Sequence, residues 1–146
     1  MATAAQDREI PAPHVSPENQ GYFDAAAQGR LVVKYCNACN QIHFFPRTIC
    51  PHCFSDDTRW LDSAGTGKIY TYSVSRRGIP VPFALAYVTL DEGVTMMSNI
   101  VDCDLDSLAI DMRVRVVFKA TIDGVLVPMF TPQLEADGPN AQGARR

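Results

Sequence analysis

Alternation of apolar and polar side chains dominates the second half of the chain and predicts β-strands there. It is clearest from Arg113 to Ala120, where valine and phenylalanine alternate with mostly basic residues. Alternation with a period of two places one face of a strand against a core and the other in solvent. Four further strands are predicted at Lys68 to Ser75, Phe83 to Leu90, Val94 to Val101 and Val125 to Phe130. Five short strands predict a small, partly open barrel of OB type.

Turn residues between these strands predict how they are connected. Asp91-Glu92-Gly93 and Asp123-Gly124 are hairpin turns, because glycine accepts the backbone conformation that such turns need. An acidic connection from Asp102 to Asp111 separates the two hairpins and contains a short helical turn at Leu105 to Ile110. The barrel is therefore expected to contain a 2-3 hairpin, a longer 3-4 link and a 4-5 hairpin.

The first half of the chain has a different pattern, which begins with a short helix. Ser16, Pro17 and Glu18 form a helix-start signal of cap, proline and acid. Tyr22 and Phe23 follow with apolar residues at helical spacing, and a glycine ends the segment. So short a helix is marginal alone and must dock on another surface.

Three short apolar runs follow the helix and predict a small ribbon. They extend from Leu31 to Tyr35, from Ile42 to Phe45 and from Thr58 to Leu61. Such a unit is too small to be stable through its apolar core alone, so a metal is expected to stabilise it.

Four cysteines interrupt the ribbon in two Cys-x-x-Cys pairs, Cys36 with Cys39 and Cys50 with Cys53. Two such pairs at close spacing are typical of a tetrahedral zinc site, and four thiolates leave no open position for catalysis. Iron is possible with the same ligands. Two disulfides or a redox pair are alternatives, but a cytosolic chain with this spacing favours metal binding. We predict one structural zinc per chain.

The remaining cysteine and the histidines have ordinary interpretations. Cys103 is unpaired and is expected to be a small buried apolar residue. His43 and His52 lie near the cysteines and are expected to be packed or solvated side chains. With His14 they are the only histidines, so the predicted barrel contains none that could act as a general base. A free-standing enzyme is therefore disfavoured.

Length, charge and the chain ends limit the remaining possibilities. The 146 residues have a net charge of −3 and a pI near 5.5, which argues against a general nucleic-acid binder. No apolar run is long enough for a membrane span, and no apolar signal-peptide core precedes Pro13, so a cytoplasmic protein is expected. We predict a helix plus ribbon at 16–63 and a barrel at 64–132, with disordered tails at 1–15 and 133–146.

In this order of helix, ribbon and barrel, the chain resembles a family of bacterial and archaeal acyl-CoA-associated proteins. Members of that family join a rubredoxin-like zinc ribbon to an OB fold. The resemblance covers roughly residues 16 to 132. It is carried by Tyr22-Phe23, Cys36 to Cys39, Pro46-Arg47, Cys50 to Cys53, Gly65 to Val74, Pro82-Phe83 and Leu90 to Gly93.

The resemblance implies a non-catalytic accessory subunit. Such proteins accompany a thiolase-, ketosynthase- or aldolase-type enzyme and are often encoded next to it, and the barrel and lead helix help to hold the coenzyme A ester. In this chain we expect aromatic side chains to supply the partner interface, because the ribbon is too small to bury them all. They are Tyr22, Phe23, Phe44 and Phe45. A nucleic-acid-binding ribbon and barrel remains the alternative function.

Basic residues suggest where a coenzyme A ester could bind. In an OB topology the first and fourth barrel strands are neighbours, so their bases would form one wall, with Asp102 to Asp111 in the opposite connection. A local basic wall suits the phosphates of coenzyme A. The alternative is an ordinary solvated strand face. The expected binding residues are Arg76, Arg77, Phe83, Arg113 and Arg115.

Overall fold

The structure, a computed structural model, describes residues 8–133 and confirms a mainly β protein. Residues 1–7 and 134–146, which belong to the predicted tails, lie outside the described residues. The described part contains one α-helix, eight strands and one 3-10 turn. They are α1 (Gln20–Ala27), β1 (Val32–Cys36), β2 (Ile42–His43), β3 (Thr58–Asp62), β4 (Thr66–Ser75), β5 (Phe83–Leu90), β6 (Thr95–Ile100), the 3-10 turn (Leu105–Ser107), β7 (Arg113–Ala120) and β8 (Leu126–Pro132).

The helix ends as predicted but begins later. Ser16 is not its cap: the Ser16 backbone N–H donates to Oδ1 of Asn19 (2.7 Å), and a turn over residues 17–19 precedes α1. At the other end Gly29 has a φ of 77°. The Arg30 N–H donates to the carbonyl of Ala25 (2.9 Å), which is the hydrogen bond of a Schellman motif. The glycine therefore reverses the chain directly into β1.

The ribbon is a three-stranded antiparallel sheet with strand order β2-β1-β3. Lys34 in the central strand lies opposite His43 on one side and Trp60 on the other. The Lys34 ammonium stands 4.3 Å from the centre of the Trp60 ring. Because β1 ends at Cys36, the sheet register places the first metal-ligand candidate at the end of the ribbon.

The second half is a closed barrel with strand order β4-β5-β6-β8-β7. The β5–β6 and β7–β8 hairpins are those predicted from the turn residues. The predicted five-stranded barrel is confirmed, but it is closed rather than partly open, because β6 and β8 meet in parallel at Ile100 and Phe130. The Val101 N–H also donates to the Phe130 carbonyl (2.8 Å). This contact joins residues far apart in sequence, so no local sequence pattern predicts it.

One apolar core joins the helix, the ribbon and the barrel. It contains Phe23 of α1, Val33 of β1 and Ile69 of β4, all buried. At the connection, the carboxylate of Glu92 accepts hydrogen bonds from the Ser63 hydroxyl and the Ala64 N–H, both 2.8 Å. The ribbon is therefore packed and hydrogen-bonded to the barrel rather than tethered to it.

Residues 8–15 differ from the expected disordered tail and run along the barrel. The Ile122 N–H donates to the carbonyl of Ile10 (3.0 Å), and Val15 packs against the core. The Arg8 guanidinium lies 4.0 Å from the centre of the Phe83 ring. These contacts are isolated anchors without periodicity, so the sequence pattern did not indicate them.

Candidate functional site

The four cysteines lie on two similar turns at one end of the ribbon. In the first, the Asn40 N–H donates to the Cys36 carbonyl, and in the second the Phe54 N–H donates to the Cys50 carbonyl, both at 2.8 Å. Asn40 and Phe54 have φ values of 61° and 66°, so each turn closes through a left-handed residue. Two equivalent turns thus aim two pairs of sulfurs at one point.

The sulfur positions match a tetrahedral metal site. All four Sγ atoms lie within 4.8 Å of one another. The separation between Cys36 Sγ and Cys53 Sγ is 3.6 Å, and that between Cys39 Sγ and Cys50 Sγ is 3.7 Å. A zinc–sulfur bond of about 2.3 Å with tetrahedral angles requires sulfurs roughly 3.8 Å apart. The donor set therefore fits a tetrathiolate zinc without rearrangement.

The backbone around the second pair favours a thiolate. The His52 N–H points at Cys50 Sγ (3.4 Å). Burial opposes ionisation, but the N–H groups of His52 and Cys53 lower the pKa of Cys50 to about 7. Burial and the neighbouring Cys50 raise the pKa of Cys39 to about 12. Four sulfurs this close cannot all be anionic without a cation between them, and a bound metal supplies that charge.

His43 lies in the ribbon core and not in the sulfur cluster. It is 3% exposed, and within residues 8–133 neither ring nitrogen has a hydrogen-bond partner. Burial is the main cause that lowers the pKa of His43, and the positive charges of His52, Lys34 and Arg47 lower it further. The structure therefore holds His43 as a neutral packed side chain, whereas His52 is exposed.

The four aromatic residues expected at a partner interface form one cluster inside the chain. The Tyr22 ring centre lies 5.1 Å from that of Phe23, 5.5 Å from Phe44 and 5.7 Å from Phe45. Tyr22 and Phe23 are buried, Phe44 is half-buried and Phe45 is 43% exposed. The cluster docks α1 on the ribbon and leaves Phe45 as the most exposed of the four rings. The short helix was expected to dock on another surface, and that surface lies within the same chain.

The predicted basic wall does not form. β4 and β7 are neighbours as expected, with Lys68 opposite Arg113. Arg76, however, follows the other end of β4, roughly 25 Å away at about 3.3 Å per residue. Arg113 and Arg115 are therefore remote from the Arg76-Arg77 turn.

Acids pair with these bases, and three of the acids come from the connection that was expected on the opposite side. Arg113 and Asp91 share two hydrogen bonds of 2.9 and 3.0 Å, which lower the pKa of Asp91. Among residues 8–133, Arg77 and Arg115 form no ion pair. The other pairs are Arg76 with Asp106, Lys119 with Asp102 at 2.6 Å and Lys68 with Asp111 at 3.7 Å.

One arginine-rich site remains, at the end of the β4–β5 hairpin. Phe83 is opposite Ser75, the residue before Arg76 and Arg77, so the two arginines and the ring belong to the same end of the barrel. Arg8 adds a third guanidinium to this end of the barrel, and its group lies over the Phe83 ring. No sequence pattern indicated Arg8, because it lies in a segment without periodicity. A groove beside the ring is lined by Arg8, Ile10, Phe83, Asn99, Val101, Lys119 and Met129.

Among residues 8–133, no helix has the length and apolar character that crossing a membrane requires.

The fold and the sulfur cluster together define a rubredoxin-like zinc ribbon joined to an OB-fold barrel. Residues 23–59 match the family described as "ChsH2, rubredoxin-like zinc ribbon domain", and residues 60–119 match "ChsH2, C-terminal OB-fold domain". The chain belongs to this ChsH2 family, which confirms the resemblance seen in the sequence.

Two similar proteins are named as enzyme subunits. A probable enoyl-CoA hydratase alpha subunit of Thermomonospora curvata is 33% identical over 126 residues, which cover 84% of this chain and 40% of that protein. The benzoylsuccinyl-CoA thiolase subunit BbsA of Geobacter metallireducens is 25% identical over 83 residues, which cover 55% of this chain and 56% of that protein. The chain thus spans about two fifths of the length of the hydratase subunit and just over half of the length of the thiolase subunit.

A solved structure, titled "Ltp2-ChsH2(DUF35) aldolase", has a chain with the same fold. It is 32% identical with a TM-score of 0.74, and the match covers 84% of this chain and all of that one.

Proposed function

We propose that this chain is a zinc-binding accessory subunit that helps a thiolase-, ketosynthase- or aldolase-type enzyme to hold acyl-CoA esters. The observation that carries the proposal is that similar chains are named with a hydratase, a thiolase and an aldolase. These reactions need different catalytic groups. A module shared by all three is better suited to what they have in common, which is assembly of the enzyme and recognition of the ester.

Zinc has a structural role in this proposal. Cys36, Cys39, Cys50 and Cys53 would hold one ion, and their sulfurs fill its four positions. The ion supplies charge that lets the four thiolates lie together, and it thereby stabilises the ribbon. With no position left for water, the centre would not take part in the reaction.

The arginine-rich end of the barrel would contact the coenzyme A part of the ester. Guanidinium groups bind phosphate oxygens in paired, charge-assisted hydrogen bonds. Arg77 is exposed and has no ion pair among residues 8–133, so it is free to do so, and Arg76 and Arg8 lie at the same end. Arg113 and Arg115 are too remote to contact the same phosphates, and Arg113 is already bound to Asp91.

The catalytic base would come from the partner enzyme. All three histidines of the chain, His14, His43 and His52, lie outside the barrel. Placing the chemistry on the partner also explains how one fold can accompany reactions that differ.

The proposal is tested by producing the chain together with a thiolase-like protein from the same genome. We expect a stable complex of defined stoichiometry that turns over its acyl-CoA substrate, while the isolated chain does not. Turnover by the homogeneous chain alone would overturn the accessory role. Failure to form a complex, measured by light scattering after size-exclusion chromatography, would remove the proposed partner.

A further inference from the structure

We propose, on the basis of the proposed function, that the outer face of strands β4, β5 and β6 is the surface on which the thiolase-like enzyme subunit docks. This face is defined by the outward side chains of three neighbouring strands. They are Lys68, Tyr70, Thr71 and Ser73 on β4, Phe83, Leu85, Tyr87 and Thr89 on β5, and Thr95, Met97 and Asn99 on β6.

The first observation is that Lys68, at one end of β4, is the only charged member of this outer face, although 20% of the chain is charged. The neighbouring strand β7 behaves differently and turns Arg113, Arg115 and Lys119 outward. Protein interfaces are depleted of charged residues at their centre and enriched in tyrosine and methionine. The outer face therefore has the composition of an interface core rather than of a solvated strand.

The second observation is that its large side chains are exposed and adjacent. Tyr70 is 66% exposed, Leu85 41%, Tyr87 46% and Met97 53%. Tyr87 is opposite Met97 on β6 and Thr71 on β4, and Leu85 is on the same side of β5 two residues away. Cross-strand neighbours have Cβ atoms about 5 Å apart. These four exposed side chains thus form one patch that residues 8–133 leave uncovered.

The chemistry of the outer face argues against nucleic acid as its occupant. OB folds often bind oligonucleotides on this part of the barrel, with aromatic side chains that stack on bases. Such sites also need lysine and arginine to follow the phosphates. The outer face offers Tyr70 and Tyr87 with Lys68 as its only basic residue, and Lys68 is paired with Asp111, so a protein surface with few charges is the better match.

The position of the outer face favours the enzyme over a second copy of this chain. Basic residues lie at both ends of β4, with Lys68 at one and Arg76 and Arg77 at the other. A two-fold pairing of copies would bring basic ends together. The enzyme subunit, in contrast, must lie beside the Arg76-Arg77 turn if both proteins contact one ester, and the outer face begins at Phe83 next to that turn.

The test compares glutamate variants on and off the outer face, using the complex with the co-produced thiolase-like protein. Tyr87→Glu and Met97→Glu should each weaken the complex at least tenfold in calorimetric titration, because they bury an unpaired charge. Ile122→Glu is the matched control, since Ile122 is 67% exposed but lies on the β7–β8 turn, and it should bind as the wild type does. Unchanged melting temperature and zinc content show that each variant is folded.

A photo-crosslinking amino acid at position 87 provides a second measurement if a glutamate variant does not fold. It should couple this chain to the enzyme subunit. Wild-type affinity in both glutamate variants, or crosslinks only between copies of this chain, would overturn the docking surface while the complex itself remains. Tight binding of a labelled single-stranded oligonucleotide that Tyr87→Glu abolishes would also overturn it. If the wild-type chain forms no complex, the proposed function fails, and the docking surface fails with it.

Discussion

The guanidinium of Arg113 holds the carboxylate of Asp91 through two hydrogen bonds, Nη1 to Oδ1 at 2.9 Å and Nη2 to Oδ2 at 3.0 Å. The pair connects β7 to the turn that follows β5. It occupies the donors that the sequence had suggested for phosphate binding. An arginine held by both oxygens of a carboxylate, as Arg113 is, has fewer donors left for a ligand than one with a single contact, such as Arg76 with Asp106.

Coenzyme A binding should accordingly depend on one end of the barrel. Replacing Arg76 and Arg77 together with alanine should weaken binding of a coenzyme A ester to the complex by about 1–3 kcal/mol, as expected for charge-assisted hydrogen bonds. The melting temperature should change little, because both side chains are exposed. The matched control is the Arg113/Arg115 double alanine variant, which should bind as the wild type does. Calorimetric titration in which only the control variant weakens binding would contradict this placement.

Zinc should be bound by the four ribbon cysteines and should stabilise the fold. Cys50→Ser removes one of the four sulfurs, so purified protein should contain well under one zinc per chain and should melt at a lower temperature. Cys103→Ser is the control, because Cys103 lies outside the sulfur cluster, and it should keep full zinc. Metal analysis by mass spectrometry together with thermal melting checks both. Full occupancy and unchanged melting in Cys50→Ser would contradict the site.

Stability should fall on acidification partly through His43. Burial lowers the pKa of His43 in the folded protein, so below about pH 6.5, the ordinary value for histidine, the unfolded chain binds the proton more readily. Proton binding by the unfolded chain at this histidine lowers the free energy of unfolding as pH falls and has no effect at higher pH. His43→Leu should therefore lose less stability than the wild type between pH 7.5 and pH 5.5 in urea unfolding.

Protonation of the cysteines also contributes to the pH dependence but is common to both proteins, so the difference between them isolates His43. The exposed His52 provides the control, and His52→Leu should follow the wild type. Parallel pH profiles for all three proteins would show that His43 does not titrate on unfolding.

Gly67 should not tolerate a side chain. A Cβ at this position would lie 2.4 Å from the Thr89 carbonyl oxygen and 3.0 Å from the Leu90 Cα, both backbone atoms of β5. Because backbone cannot move aside easily, Gly67→Ala should destabilise the protein by about 1–3 kcal/mol. Ser73→Ala, on the exposed side of the same strand, should be nearly neutral. Equal urea midpoints for the two variants would contradict the close approach.

Local features of the sequence predicted the strands well but not their tertiary contacts. β5 and β7 have the predicted bounds because their apolar residues alternate and turn residues flank them. The burial of Tyr22 depends instead on Phe44 and Phe45, more than twenty residues later in the chain. The ion pairs also depend on contacts between residues distant in sequence, because Arg76 and Asp106 come together only when the barrel forms. Contacts of this kind leave no periodic pattern.

The candidate metal site was predictable because its ligands come in short repeated units. Each Cys-x-x-Cys pair forms its turn locally, so only the meeting of two turns depends on the fold. The residues expected to bind coenzyme A do not belong to a short repeated motif of this kind. Arg76, Arg77 and Phe83 are close through the hairpin, whereas Arg113 is separated from them by the length of β4.

The parallel contact between β6 and β8 makes the barrel unequal around its circumference. Only Ile100 and Phe130 are in register there, whereas β5 and β6 share six registered pairs. Strands with fewer shared hydrogen bonds separate at lower free energy, so local opening should begin at this seam. Amide protons of Val101 and its neighbours should then exchange with deuterated solvent sooner than those inside the β5–β6 hairpin. A barrel that is closed in its average structure would thus open preferentially between β6 and β8.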